Sequence, residues 1–231
     1  MEIILKDIQV ILNGRVILND ISTTFSYREV VMIVGSNGSG KSTLLKLLAG
    51  LFEPTSGNII LPGGYKDVSE LTGYVFQNPE TQIIGSTVWE DVIFGLENIG
   101  LSKEEMERRA NYVLDLLELS KLRDYDPYYL SGGQKQRLAI ASVLALEPEF
   151  LLLDEVTAML DKNGKKEVLS AISKLREIGK GILVATHELN LFSEVCDRCI
   201  VVDKGKIVFD GDVHDGVKLY KEKVKRDFSE V

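Results

Sequence analysis

Little in this sequence would let the chain cross a membrane, staple itself or clamp a metal. Its longest apolar runs, such as Val30–Val34 and Phe150–Leu153, fall far below the ~18 residues of a membrane-spanning helix. Glu2, Lys6 and Asp7 interrupt the apolar residues near the N-terminus, so no secretory leader is read there. The expectation is an intracellular protein that meets any membrane through a partner. Cysteine is scarce: Cys196 and Cys199 are the only two, spaced C-x-x-C. With no second pair to complete a zinc site, they read as small buried hydrophobes rather than as redox or metal groups. Positive charge is in deficit too. Lys and Arg number 27 against 35 Asp and Glu, a formal charge of −8, which argues against nucleic acid as a partner. Nucleotide binding stays open, because backbone dipoles and a single lysine can hold phosphate.

What remains is a globular chain of 231 residues, 45% hydrophobic and 27% charged, long enough for a sizeable core. Asn13-Gly14 marks a hairpin between Ile8–Leu12 and Val16–Leu18, and Ile21–Phe25 alternates as a further strand. Val30–Val34 is continuously apolar, as a strand buried on both faces should be. A glycine-rich loop follows, then a helix from Lys41 to Ala49 stopped by Gly50. Gly57–Leu61 and Gly73–Phe76 read as strands. Residues 78–147 read as mostly helical, with a capping box at Ser102 and Glu105 and a helix over Gln134–Leu146. Beyond Pro148 the pattern alternates: strand Phe150–Leu153, helix Lys162–Ile178, strand Ile182–Ala185, helix near Leu189–Val195, strand Ile200–Val202. That order predicts an α/β fold with a parallel sheet. Lys204-Gly205 predicts a closing hairpin into Lys206–Phe209. A last helix carries Val217, Tyr220, Val224 and Phe228 on one face and Lys218, Lys221, Lys223 and Lys225 on the other. Docking on the sheet is favoured for it over a partner contact.

Gly35-Ser36-Asn37-Gly38-Ser39-Gly40-Lys41-Ser42 fits G-x-x-x-x-G-K-[ST] between a buried strand and a helix. The glycines let backbone N–H groups wrap phosphates, Lys41 reaches the β- and γ-phosphates, and the Ser42 hydroxyl is placed for Mg²⁺. Phe150–Leu153 ends in Asp154 and Glu155, at the carboxyl strand end where α/β sheets bind ligands. Asp154 would serve Mg²⁺ and Glu155 would polarise an attacking water. His187 follows Ile182–Thr186 and is placed for the γ-phosphate. Gln77 offers an amide at the same edge.

Leu130-Ser131-Gly132-Gly133-Gln134 is a helix start with a capping box between Ser131 and Gln134. Two glycines in a first turn cost roughly 1 kcal/mol each relative to alanine. They are read as gaining nothing in packing while opening bare N–H donors to an anion at the positive helix end. Taken alone, an ordinary cap is as good a reading; the P-loop elsewhere favours the anion. Since intervening sequence puts the two sites in different lobes, the economical arrangement is a composite site, with the P-loop of one subunit facing the Ser131 turn of another.

Together these residues resemble the ABC ATPase family along nearly the whole chain. The resemblance makes Gly35–Ser42 the Walker A motif, with nucleotide-binding positions Ser36, Asn37, Gly38, Ser39, Gly40, Lys41, Ser42 and Thr43. Gln77 becomes the Q-loop residue and, with Ser42 and Asp154, a Mg²⁺ ligand. Leu130–Gln134 becomes the signature, Phe150–Glu155 the Walker B strand, Ala158–Asp161 the D-loop and His187 the switch histidine. Glu155, His187 and Gln77 are then the catalytic set, and Ser131, Gly132, Gly133 and Gln134 grip a partner's ATP. The fold implied is α/β: a P-loop NTPase core with a parallel sheet, an N-terminal antiparallel β subdomain and a helical subdomain. It forms one domain, 1–231, with about 1–77 and 148–231 as core and about 78–147 as the helical part. The cofactors implied are ATP and Mg²⁺, in a head-to-tail dimer that closes on two ATP molecules.

Phe76–Pro79 through Gln82, Thr87–Val92 and Phe94–Asn98 look more specifically like the energy-coupling-factor subgroup, whose ATPases drive uptake of vitamins or of cobalt and nickel. That resemblance implies a peripheral subunit at the cytoplasmic face of the membrane. An integral membrane coupling subunit would contact the region Gln77–Phe94, where Ile83, Ile84, Val88, Trp89 and Phe94 are divided between a groove and the core. Three positions depart from the family pattern. Leu12 stands where an adenine-stacking aromatic is usual, Val156 where proline follows the Walker B glutamate, and Met159 where the D-loop commonly has glycine. They suggest a specialised subunit, with a heterodimer favoured over a homodimer. The chain also ends early for the subgroup. The rival reading is a soluble ABC ATPase in repair, assembly or translation, a class that usually carries two cassettes or large insertions.

Overall fold

The computed structural model describes residues 1–229, with side chains through Val224. Two sheets organise it. The smaller is antiparallel, ordered β2-β1-β4 from β1 (Glu2–Leu12), β2 (Arg15–Ser26) and β4 (Ser56–Ile60). Asn13 and Gly14 both take positive φ, +51° and +74°, as a two-residue hairpin with right-handed strand twist demands. The alternating Ile21–Phe25 segment is part of one 12-residue β2 rather than a separate strand.

The larger sheet has six strands: β3 (Val30–Val34), β5 (Thr72–Val75), β6 (Phe150–Asp154), β7 (Gly181–Ala185), β8 (Arg198–Asp203) and β9 (Lys206–Gly211). Their order is β5-β6-β7-β3-β8-β9. All pairs are parallel except β8 with β9, which the turn at Lys204-Gly205 makes antiparallel. The sheet is therefore mixed but mostly parallel. Every residue of β3, β6 and β7 is buried, so both faces of these strands must be apolar. Successive residues feed opposite sides. Met32, Leu151, Leu153 and Val184 join a core with the helices α2 (Val88–Asn98), α3 (Lys103–Leu116), α4 (Gly132–Leu144) and α5 (Lys162–Glu177). Val31, Ile33, Leu152 and Leu183 join a second core with α1 (Lys41–Leu48) and the small sheet.

Between β5 and β6 every regular element is helical, with no strand. Local chemistry shifts several ends. The strand expected to reach Phe76 stops at Val75, because the Phe76 N–H bonds to the Gln82 side chain instead of a ladder. The helix expected over 134–146 starts and ends two residues earlier, at Gly132 and Leu144, since Ser131 is its N-cap. Ser102 caps α3, but the expected box is only half made. Hydrogen bonds from Arg108 and Arg109 occupy the Glu105 carboxylate and hold it down at about 2. The helix near 189–195 is the short α6 (Leu189–Phe192). The last helix, α7 (Val213–Ser229), docks on the sheet through Val213, Val217 and Tyr220. Lys221 and Lys223 instead reach Asn190 and Asp203; Phe228 and Lys225 lie outside the described side chains. Cys199 is buried and its thiol is pushed up to about 12, by burial first and then by Asp210 and Asp212. Burial also raises Cys196. Protonated thiols are the opposite of a reactive pair.

Leu153 tests the layering. Leu153→Ala should cost ~2–5 kcal/mol in denaturant unfolding, whereas Leu51→Ala, at a position 58% exposed, should stay within ~0.5 kcal/mol. Equal effects would contradict this division of core and surface.

Candidate functional site: a phosphate cradle at the parallel strand ends

The carboxyl ends of β5, β6, β7 and β3 emerge at one edge, because each strand runs parallel to its neighbour. β3 leads into residues 35–40 and then α1. Gly40 is the N-cap at φ +111°, and a Cβ there would lie 2.7 Å from Leu18 Cδ2, so glycine is required. No side chain caps α1 and no acidic residue sits in its first turn. The N–H groups of Lys41, Ser42 and Thr43 are thus available to an anion at the positive helix end. Ser36, Asn37 and Gly38 are exposed on the loop, and the buried Ser39 hydroxyl has no partner among the described residues. The Lys41 ammonium donates to the carbonyls of Gly35 (3.0 Å) and Ser36 (3.2 Å). Burial pulls it below the usual lysine range, while the Glu155 and Asp154 carboxylates oppose that pull.

β6 supplies Asp154 and Glu155 to the same place by a backbone device. Glu155 still donates its N–H to Ala185 at 2.9 Å, continuing the ladder. Its φ is +50°, a left-handed conformation that costs a non-glycine residue roughly 1–2 kcal/mol. That turn swings its side chain to the side its neighbour already occupies. Asp154 Oδ1 accepts from the Ser42 hydroxyl at 2.9 Å, and Oδ2 accepts from the Tyr74 phenol at 2.6 Å. Burial, then this bond to Asp154, raises Tyr74 far above an ordinary phenol, so it remains a donor. Glu155 Oε2 accepts from Gln77 Nε2 at 3.2 Å, and Oε1 lies 3.0 Å from His187 Nε2. The same Nε2 is 3.3 Å from Lys41 Nζ. When protonated it donates to Glu155; when bare it accepts from Lys41, and it cannot do both. A single run of contacts therefore joins Gln77, Glu155, His187 and Lys41, with Ser42 and Asp154 beside it. A hydroxyl, a carboxylate and a side-chain amide suit a hard divalent cation with oxygen ligands.

The Ser131 turn belongs to the helical segment. Its capping box is complete: Gln134 N–H donates to Ser131 Oγ at 3.2 Å, and Ser131 N–H to Gln134 Oε1 at 2.8 Å. The two glycines differ, and the expectation that neither gains anything in packing is wrong for one. Gly133 is buried, and a Cβ there would lie 2.7 Å from Gly164 Cα and 2.6 Å from Glu167 Oε2. It lets α4 cross α5 at close range. Gly132 is exposed and would meet only the end of Leu160, at 3.0 Å; it keeps the open-backbone reading. Asp161 is the N-cap of α5, its carboxylate accepting from Gly164 N–H at 2.7 Å.

The stretch from Phe76 to Asp91 is tied to α4 in four places. Lys135 pairs with Glu80 (2.6 Å), Gln136 donates to Phe76 O (3.3 Å), Gln82 donates to Ala139 O (2.9 Å), and Ser142 donates to Asp91 (2.6 Å). Buried Asp91 also accepts from Ile84 and Gly85 N–H. Tyr74, Asp91 and Gln136 carry no role predicted from the sequence, and Gln82 enters there only as the end of the Phe76–Gln82 stretch; their partners lie in other elements and leave no local signal. A groove of about 290 Å³ is lined by Glu80, Ile83, Ile84, Asp126, Tyr128 and Lys135 among others. Ile84 and Phe94 are exposed, whereas Val88 is core and Trp89 packs under the Arg123 guanidinium, 3.7 Å from its ring centre. Leu12 is 40% exposed at the end of β1, Met159 is exposed and Val156 is buried.

A family model described as ABC transporter matches residues 18–158. The chain is 44% identical over its full length, and 87% of the relative's, to the energy-coupling factor transporter ATP-binding protein EcfA1 of Thermotoga maritima. Over 92% of its length it is 38% identical to a putative ABC transporter ATP-binding protein of Pyrococcus furiosus, covering 84% of that protein. Its structure resembles that of cbiO1 from Clostridium perfringens, part of the ABC transporter complex cbiONQ, with a TM-score of 0.86 and 33% identity over 97% of this chain and 93% of that one.

The glycine assignments separate in a melting experiment. Gly133→Ala should lose ~1–3 kcal/mol by overpacking α4 on α5. Gly132→Ala should stay within ~0.5 kcal/mol, because only a side-chain end must move. Equal losses would contradict the division of roles.

Proposed function

The chain belongs to the ABC transporter family of ATP-binding subunits, and from that premise we propose that it powers an energy-coupling-factor importer from the cytoplasmic face of the membrane. It is an ATPase whose hydrolysis is coupled to transport. The observation that carries the mechanistic reading is the run of contacts from Gln77 through Glu155 and His187 to Lys41, set against the uncapped start of α1.

In this reading residues 36–43 wrap the ATP phosphates with backbone N–H groups, and Lys41 leaves its loop carbonyls for the β- and γ-phosphates. Ser42, Asp154 and Gln77 would hold Mg²⁺, which neutralises phosphate charge when bound. Tyr74 and Ser42 keep both Asp154 oxygens oriented. Glu155 orients and deprotonates the attacking water, and His187 contacts the γ-phosphate. Gln77 sits on Glu155 at one end of a segment bonded to α4 along its length, so a shift there is felt at the water-activating carboxylate. The groove at Ile83, Ile84 and Tyr128 receives the membrane subunit; among the described residues no helix is long and apolar enough to cross a membrane. The N–H groups at Ser131–Gln134 grip ATP held by a second ATPase subunit, and Asp161 lies at the same face. Val156, Met159 and Leu12 favour a non-identical second subunit.

Three variants test this. Glu155→Gln should keep ATP binding and slow hydrolysis by about 10²-fold, the scale of general-base loss; steady-state turnover beside a nucleotide-binding titration reads both. Lys41→Ala should weaken ATP binding itself. Ser131→Arg should fold normally and abolish ATP-driven pairing in sedimentation. Unchanged turnover in the first, or unchanged pairing in the last, would overturn the corresponding role.

A further inference from the structure

Glu188 takes no part in the site above, yet its carboxylate joins three segments that the site depends on. Oε2 accepts from the hydroxyl of Thr157, 2.5 Å away, and Oε1 pairs with the Lys165 ammonium. Thr157 is 1% exposed and lies two residues past Glu155, just before the loop of residues 158–161. Lys165 stands in the first turns of α5 and donates its backbone N–H to the Asp161 carbonyl at 3.0 Å. Glu188 itself follows His187 directly. On the other side of His187, the buried Thr186 accepts the Glu188 N–H at 3.0 Å and donates its own N–H to Ile33 O at 3.1 Å. The histidine is thus held from both flanks: by the sheet through Thr186, and by the 157–165 segment through Glu188.

The second anchor is bonded to a segment that faces outward. Residues 158–161 present Met159, 66% exposed, and Leu160 lies against Gly132 of the Ser131 turn. A displacement of that loop reaches Lys165 through Asp161, Glu188 through Lys165, and His187 through one peptide bond.

We propose that Glu188 is a positioning residue that keeps His187 on Glu155 and makes its placement depend on the 158–161 loop. Docking of a second subunit on that loop would then be reported at the water-activating carboxylate. The proposal rests on the hydrolytic roles given to Glu155 and His187. A loosened histidine predicts a loss in the chemical step, since a displacement of about 1 Å can cost up to ~10²-fold in rate. Because Glu188 bonds to none of residues 36–43, which wrap the phosphates in the proposed reading, affinity for ATP should not follow.

The experiment compares Glu188→Ala, Thr157→Val and Thr157→Ser in the full chain assembled with the ATPase subunit that pairs with it. kcat, KM for ATP, nucleotide Kd and Tm are measured for each. Glu188→Ala and Thr157→Val should each lower kcat by about tenfold while KM and Kd stay within about twofold. Thr157→Ser, which keeps the hydroxyl, should retain turnover, and the Glu188→Ala/Thr157→Val pair should be no slower than either alone. The clamp is overturned by kcat within about twofold of wild type, by a loss that tracks Tm or Kd, or by Thr157→Ser failing as badly as Thr157→Val. A separate control guards the underlying reading. No turnover by wild type, or full turnover by Glu155→Gln, overturns the hydrolytic roles and the clamp with them.

Discussion

Parallel pairing of β6 between β5 and β7, and of β7 with β3, governs where the chemistry can be. It forces four strand ends, and the loops leaving them, to one edge. Gln77, the Asp154-Glu155 pair, His187 and the glycine loop lie far apart in sequence and meet because they stand at or just past those ends. The apolar burial of β3, β6 and β7 on both faces holds the pairing rigid. The residues beyond them can then be polar and crowded without loosening the sheet. The left-handed turn at Glu155 has a modest cost against that background, and it brings two adjacent carboxylates to one edge of the sheet.

The helical segment shows the same economy at its entry. The Ser131 box satisfies the cap, Gly133 lets α4 and α5 cross closely, and Gly132 leaves backbone open. A motif that looks like one anion device thus combines intrachain packing with an outward-facing surface. The close crossing also fixes the Ser131 turn to the start of α5, so Leu160 and Asp161 keep a set position relative to it. Along α4, Phe76, Glu80, Gln82 and Asp91 bind the segment that contains Gln77 to the helix.

Legibility in the sequence followed whether a feature is local. The glycine loop, the apolar strand ending in Asp154-Glu155 and the Ser131 box are contiguous patterns, and the structure brings the first two together. The strand order was not legible, only its parallel character, because order depends on which buried faces meet. The Tyr74–Asp154 bond and the Asp91–Ser142 bond join residues from different elements, and neither has a local signature. Gly133 was misread because the sequence cannot show that Gly164 and Glu167 approach it. The Ser102 box failed on competition, since two arginines on the same helix outbid a backbone N–H for Glu105.

The central claim is that the ATP on one subunit's glycine loop is completed by the Ser131 turn of another. It is tested by labelling with ATP that carries a photoreactive group on its γ-phosphate. This chain would carry Lys41→Ala, used at an ATP concentration that its weakened loop leaves unfilled, and be mixed with the ATPase subunit that pairs with it. The account predicts that label crosses into residues 131–134 of the Lys41→Ala chain. Label confined to the nucleotide-holding subunit would contradict it.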